Sequence, residues 1–210
     1  MRHPDFKLNE NLIFHHVKEG KFEYWYADDF YLDPTYVLDF IRWKDGYWDA
    51  YRSVKDLAFH NRHEIITPRI KHAYDFLCNQ FNITYPETRL HELLITNVIK
   101  QIKDTPYQTK FDEIHKDRWL AATVFLNKGE YPGTVLVEPK PGIEIENWFW
   151  DDEKQRNEGW VDKDSFDHII IEAKYNRCIF YKSIEVMHCW APDQRWIREE
   201  RVNQMFYLGK

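Results

Sequence analysis

The sequence changes its period after Pro86, and that change constrains the fold more than any other feature. Upstream, Asp33-Pro34 supplies a capping oxygen and then a residue suited to a first helical turn. Val37, Leu38 and Ile41 mark one face of the helix that follows. Thr67-Pro68 repeats the signal, and Ile70, Ala73, Tyr74, Leu77 and Phe81 keep helical spacing through about residue 81. Downstream, Leu90–Ile102 is a long β-favouring run, and 119–126, 133–138, 142–150, 167–175, 177–182 and 200–208 are further strand candidates. Gly133, Gly142 and Tyr175-Asn176 stand where turns are needed. Residues 1–30 hold short alternating pieces that predict a peripheral strand or hairpin. Residues 46–66 carry no clear period. Residues 151–166 are charged and contain glycine, as expected of an exposed loop. Helices first and many short strands afterwards predict an α+β chain with helices packed on a β-sandwich or barrel. No linker-like stretch separates the halves. We therefore expect one domain, with 1–85 mainly helical support and 86–210 the β core.

Composition excludes several classes. With 43% apolar and 30% charged residues, the 210-residue chain reads as a globular protein rather than a disordered one. A net charge of −6 disfavours a broad grip on nucleic-acid phosphate. The cysteines, Cys78, Cys178 and Cys189, are odd in number and form no CxxC, so free thiols in an intracellular protein are expected. The first residues lack the apolar stretch of a signal peptide, and no run approaches the roughly 18 apolar residues of a membrane span. These features predict a soluble, cytoplasmic protein. The abundant aromatics, including 9 Trp, read as packing.

Chemistry concentrates in three places. His115-Lys116-Asp117 stands just ahead of the apolar run 119–126. In extended chain, residues two apart point to the same side, so His115 and Asp117 can enter one pocket. His188 follows a later run, and Arg201 opens another. Two imidazoles and one carboxylate can hold one face of an iron ion and leave the other open. An arginine deeper in the pocket can anchor a carboxylate bidentately. Arg201 is the first choice because it starts a clean alternating pattern with Asn203, Met205 and Tyr207, followed by Arg198 and then Arg195. A second His-x-Asp, His3-Pro4-Asp5, lies far from any predicted strand and is set aside. Gly-x-Ser-x-Gly, P-loop and Gly-x-Gly-x-x-Gly patterns are missing from the sequence.

On these residues the chain resembles the Fe(II)/2-oxoglutarate-dependent oxygenases, nearest their prolyl-hydroxylase-like branch. The residues that carry the resemblance are His115-Lys-Asp117 leading into Ala122–Asn127, Gly133-Thr134, His188, and Arg201 opening Val202–Leu208. It covers about residues 90–208. It implies a double-stranded β-helix, or jelly-roll, core. It also implies that His115, Asp117 and His188 bind iron and that Arg201 pairs with the distal carboxylate of 2-oxoglutarate. Gly133-Thr134 would be structural. The arginine lies farther from the distal histidine than is usual in that branch, which keeps Arg198 in play. The implied reaction consumes dioxygen and 2-oxoglutarate, and Asp117 favours hydroxylation over halogenation.

The oxidised molecule is not legible. A small molecule or a peptide side chain is expected. Segments 103–114 and 151–166 flank the expected mouth, where Tyr107, Trp148, Trp150 and Trp160 are candidate linings. Two other readings compete. One is a jelly-roll binding protein that keeps the ligands without turnover. The other is a cupin-like metalloenzyme that does not use 2-oxoglutarate.

Overall fold

The computed structural model describes residues 6–43, 49–51, 60–62, 67–84, 94–99, 107–111, 114–117, 119–143 and 161–209. Antiparallel β-structure dominates and is compatible with a β-sandwich. The strands are β1 (His15–Glu19), β2 (Phe22–Ala27), β3 (Asp49–Tyr51), β4 (His60–Arg62), β5 (Leu94–Ile99), β6 (Lys110–Phe111), β7 (Leu120–Phe125), β8 (Glu130–Pro139), β9 (Val161–Asp162), β10 (Phe166–Lys174), β11 (Cys178–Tyr181), β12 (Met187–Trp190) and β13 (Arg201–Gly209). The helices are α1 (Pro34–Trp43), α2 (Thr67–Gln80) and the short α3 (Arg195–Arg198). One sheet has the order β1-β2-β11-β7-β13-β5, and a second has β10-β8-β12. Two small ladders, β3 with β4 and β6 with β9, complete the described strands.

Alternation along the strands builds three layers. From the large sheet, Ala122, Val124, Cys178, Phe180, Val202, Phe206 and Leu208 face α1 and α2, where they meet Val37, Ile41, Tyr74 and Leu77. The intervening residues Ala121, Phe125, Ile179 and Tyr181 face the small sheet and pack on Leu136, Ile171 and Trp190. Behind the small sheet, Val135, Val137, Met187 and Cys189 meet Phe111, Ile114 and Phe166. The middle of the large sheet, β7, β11 and β13, is therefore buried on both faces. Asp33 caps α1, its Oδ1 accepting the Tyr36 N–H at 2.9 Å.

Several expectations shift in detail. The N-terminal piece is a hairpin, but only β1 is peripheral; β2 pairs with β11 inside the large sheet. The 46–66 stretch contributes the β3–β4 hairpin. Of the strand expected at 142–150, Gly142 and Ile143 belong to a turn, and 144–150 lie outside the described residues. Of the loop expected at 151–166, residues 151–160 lie outside the described residues, 161–162 form β9, 163–165 form a 3-10 turn and Phe166 starts β10. Among the described residues strands outweigh helices, so the α+β expectation is only loosely met. β12 has no counterpart among the expected strands. Its four residues are buried on both faces and so show no alternation to read.

A bulge in β8 sets which residues face the interior. Thr134 pairs with Ile171, yet Pro132 pairs with Glu172, so Gly133 is the extra residue. The bulge shifts the alternation by one, which lets Tyr131 and Leu136 face the same interior although an even count does not separate them. A Cβ on Gly133 would lie 2.8 Å from the Ile171 carbonyl oxygen and 2.8 Å from the Ala173 Cβ. Close approach, not an unusual φ, is why glycine is needed there.

Candidate metal centre

The chain segments that carry the candidate ligands are laced together. His115 and His188 exchange backbone hydrogen bonds, 3.0 Å from His115 N to His188 O and 2.9 Å in the reverse direction. This isolated antiparallel bridge extends the small sheet beyond β12. His188 and Trp190 share the face of β12 that looks into the sandwich. Asp117 lies between that bridge and β7, with its N–H donating to the Ser183 carbonyl at 3.0 Å.

The three side chains meet. One ligand atom from each of His115, Asp117 and His188 lies within 4.8 Å of the other two. His115 Nε2 is 3.5 Å from Asp117 Oδ1, and His188 Nε2 is 3.2 Å from Asp117 Oδ2. Adjacent ligands on an ion at about 2.1 Å sit about 3 Å apart, so these separations suit one face of a coordination sphere. Asp117 and His188 are 5% and 3% exposed, while the His115 side chain is 20% exposed, which places access on the His115 side.

Two features of the donor set fit a cation. Asp117 Oδ2 and His188 Nε2 are buried and neither has a hydrogen-bond partner; the 3.2 Å approach between them is not aligned as a hydrogen bond. Buried polar atoms left in this state are costly unless something else meets them. His188 Nδ1 lies 3.4 Å from the Val186 carbonyl, an oxygen that can only accept. The proton therefore belongs on Nδ1 and the Nε2 lone pair faces the cluster, as ligation requires. Electrostatics point the same way. Burial would raise the Asp117 carboxyl, but attraction to His188 and His115 overrides it and holds the group well below the usual carboxylate range. Burial lowers His188 despite the opposing pull of Asp117, which favours the neutral imidazole.

The predicted arginines separate by burial. Arg201 is 3% exposed and faces the interior, opposite in parity to Val202. Its Nη1 donates to Asn203 Oδ1 at 2.9 Å and its Nη2 to the Gly133 carbonyl at 3.2 Å, while Nε has no partner. Among the described residues no carboxylate pairs with it. Burial accordingly lowers its guanidinium from the ordinary value. Arg198 is exposed on α3. Arg195 is occupied by Glu199, with Nε 2.7 Å from Oε2.

Sequence reasoning missed three neighbours. Tyr131 has a buried hydroxyl with no hydrogen-bond partner, and burial pushes its phenol up to about 12 against the pull of Arg201, so it remains a donor. Tyr181 packs edge-on against His188 at 4.9 Å between ring centroids. Burial raises its phenol, Asp117 raises it further and Arg201 opposes, so it lies within reach of both charges. Ser183 is fully buried beside Asp117. Only Gly133 hinted at the bulge that turns Tyr131 inward. Of the expected mouth residues, Tyr107 is half-buried and its carbonyl accepts from Lys163 Nζ at 2.9 Å; Trp148, Trp150 and Trp160 lie outside the described residues.

No helix among the described residues is long and apolar enough to cross a membrane. No protein-family model matches the chain, and no curated protein matches it in sequence.

Proposed function

We propose that this protein is an Fe(II)- and 2-oxoglutarate-dependent oxygenase that hydroxylates a small molecule or a peptide side chain. The observation that carries the reading is a buried arginine with an unpaired Nε in the same sandwich interior as a His-Asp-His cluster. A lone buried guanidinium is costly without an anion. A dicarboxylate that chelates a metal at one end would supply that anion at the other. A cupin-like centre without a dicarboxylate leaves Arg201 unexplained.

The strand order supports a jelly-roll core. Eight segments pair first with last and inward: β5 with β13, His115 with His188 of β12, β7 with β11, and β8 with β10. That is the pattern of a hairpin folded once more into a double-stranded helix.

His115, Asp117 and His188 would hold the iron. When bound, the iron and its keto acid supply the activation of dioxygen, with decarboxylation of 2-oxoglutarate to succinate and carbon dioxide. The chain's own groups bind and orient. Arg201 Nε and the Tyr131 hydroxyl are two unpaired donors that would meet a distal carboxylate, while Asn203 and the Gly133 carbonyl hold the guanidinium plane in place. Tyr181 walls the space between the two ends and excludes water.

The test is direct. Fe(II) and 2-oxoglutarate, added without oxygen, are expected to give the weak visible charge-transfer band of a chelated keto acid. Asp117→Ala abolishes the band and Arg201→Ala weakens it, whereas Arg198→Ala leaves it unchanged. A folded wild-type protein with no band refutes the proposal. Succinate release with a candidate substrate then separates turnover from a jelly-roll protein that only binds.

A further inference from the structure

We infer that Ser183 is a positioning residue for the carboxylate ligand, fixing how Asp117 presents its oxygens to the metal. The inference rests on the metal-binding reading of His115, Asp117 and His188.

Two strands change sheets at the same point. Residue 115 pairs with 188 in the small sheet, whereas Ala121 pairs with Tyr181 in the large one. The two segments therefore run antiparallel through a shared corner, and Asp117 stands in it. Regular ladder pairing cannot continue through such a corner. Ser183 spans the gap from both of its polar groups. Its carbonyl accepts the Asp117 N–H at 3.0 Å, and its Oγ donates to the Trp119 carbonyl at 2.5 Å. The backbone of Asp117 is thus held by the Ser183 carbonyl, and the chain two positions on is held at Trp119 by the Ser183 hydroxyl.

Ser183 is itself fixed. It is 0% exposed, its N–H donates to the Tyr181 carbonyl at 2.9 Å, and the turn behind it is closed by Glu185 and Val186 N–H groups donating to the Lys182 carbonyl at 2.8 and 3.0 Å. The same turn leads to Val186, whose carbonyl orients His188. One short segment therefore positions two of the three ligands, by the backbone carbonyls of 186 and 183, with the hydroxyl of 183 fixing the chain just beyond Asp117. A buried serine on a corner has a bland role, satisfying a carbonyl. The placement of the two bonds at and just beyond the backbone of a ligand residue adds the second role, fixing the chain from which the carboxylate projects. Contacts that orient a ligand directly change metal affinity by roughly 10–100-fold when lost, and a contact that acts through the ligand's backbone belongs at or below the lower end.

The experiment uses the full chain, stripped of metal and titrated with Co(II) alone, reading affinity and the visible d–d bands. Ser183→Ala is expected to bind about tenfold more weakly with an altered band envelope. Ser183→Thr, which keeps the hydroxyl, is expected to recover the wild-type envelope. Ile41→Val, a core change in the helical layer, is expected to lower stability without moving affinity or bands. If Ser183→Ala binds as tightly as wild type with the same bands, the positioning role is wrong and the metal centre stands. If wild type binds no Co(II), or Asp117→Ala leaves binding intact, the metal-centre reading falls and this inference with it. Should Ser183→Ala fail to fold, wild-type hydrogen exchange decides. A clamp that favours the bound geometry must be stabilised by the ion in turn. Co(II) must then increase protection of the Asp117 amide; unchanged protection overturns the proposal.

Discussion

Gly133→Ala tests the bulge on which the interior of the sandwich depends. The new methyl would stand 2.8 Å from the Ile171 carbonyl oxygen, 2.8 Å from the Ala173 Cβ and 2.9 Å from the Ala173 N. Two of those atoms are backbone, so no side chain can swing away. Overpacking of this kind costs about 1–3 kcal/mol, and backbone contacts place this case near the top, at about 3 kcal/mol. For a chain of this size that is a fall of roughly 6–12 °C in Tm. Gly20→Ala is the matched control. Gly20 has φ +59 and nothing within 4 Å of the added methyl, so it loses only the left-handed preference, about 1 kcal/mol. Urea denaturation and thermal melts of both variants give the comparison. A Gly133→Ala variant no less stable than Gly20→Ala would falsify the close-approach argument. The Gly133 carbonyl also receives Arg201 Nη2. The variant should therefore weaken the keto-acid band as well as stability.

Two further outcomes follow from buried and paired charge. Arg201→Met replaces a charge that has no carboxylate partner among the described residues with an apolar chain of similar length. Stability should stay within about 1 kcal/mol of wild type while the keto-acid band weakens, and a loss above about 3 kcal/mol would show that the guanidinium is a structural strut. Asp28 accepts from Arg177 Nε at 2.6 Å and Nη2 at 3.1 Å, with Lys174 Nζ at 3.3 Å, and hydrogen bonding to Arg177 leads in holding its carboxyl below the ordinary value against burial. A depressed folded-state value means that its contribution is present above the unfolded value near pH 3.9 and lost as pH falls through the folded one. Asp28→Asn should thus cost about 1 kcal/mol at pH 7 and flatten the acid limb of the urea midpoint below about pH 4; an acid limb identical to wild type counts against it.

The features legible in the sequence were those with a period or a cap. The runs expected at 119–126, 167–175, 177–182 and 200–208 correspond to β7, β10, β11 and β13 within about a residue at each end. Asp33-Pro34 and Thr67-Pro68 open α1 and α2 as expected. The His115–Asp117–His188 cluster was legible because residues two apart share a face and because a later histidine had strands enough to return. What was hidden came from pairing across the chain. β2 is half-buried and looks peripheral until β11 lies beside it. Gly133 stands where a turn is expected, yet β8 passes through it because the bulge absorbs it as the extra residue. Ser183 carries no signal at all, since its role exists only where two distant segments cross.

His115 and His188 are also the ends of a long stretch of chain, with β7, β8, β9, β10 and β11 between them. An ion gripping both would close a loop of roughly seventy residues. A covalent cross-link of that span removes about 4 kcal/mol of freedom from the unfolded chain. The metal would then be a staple as well as a reagent, and the stripped protein should open first along the seam where the two sheets exchange strands.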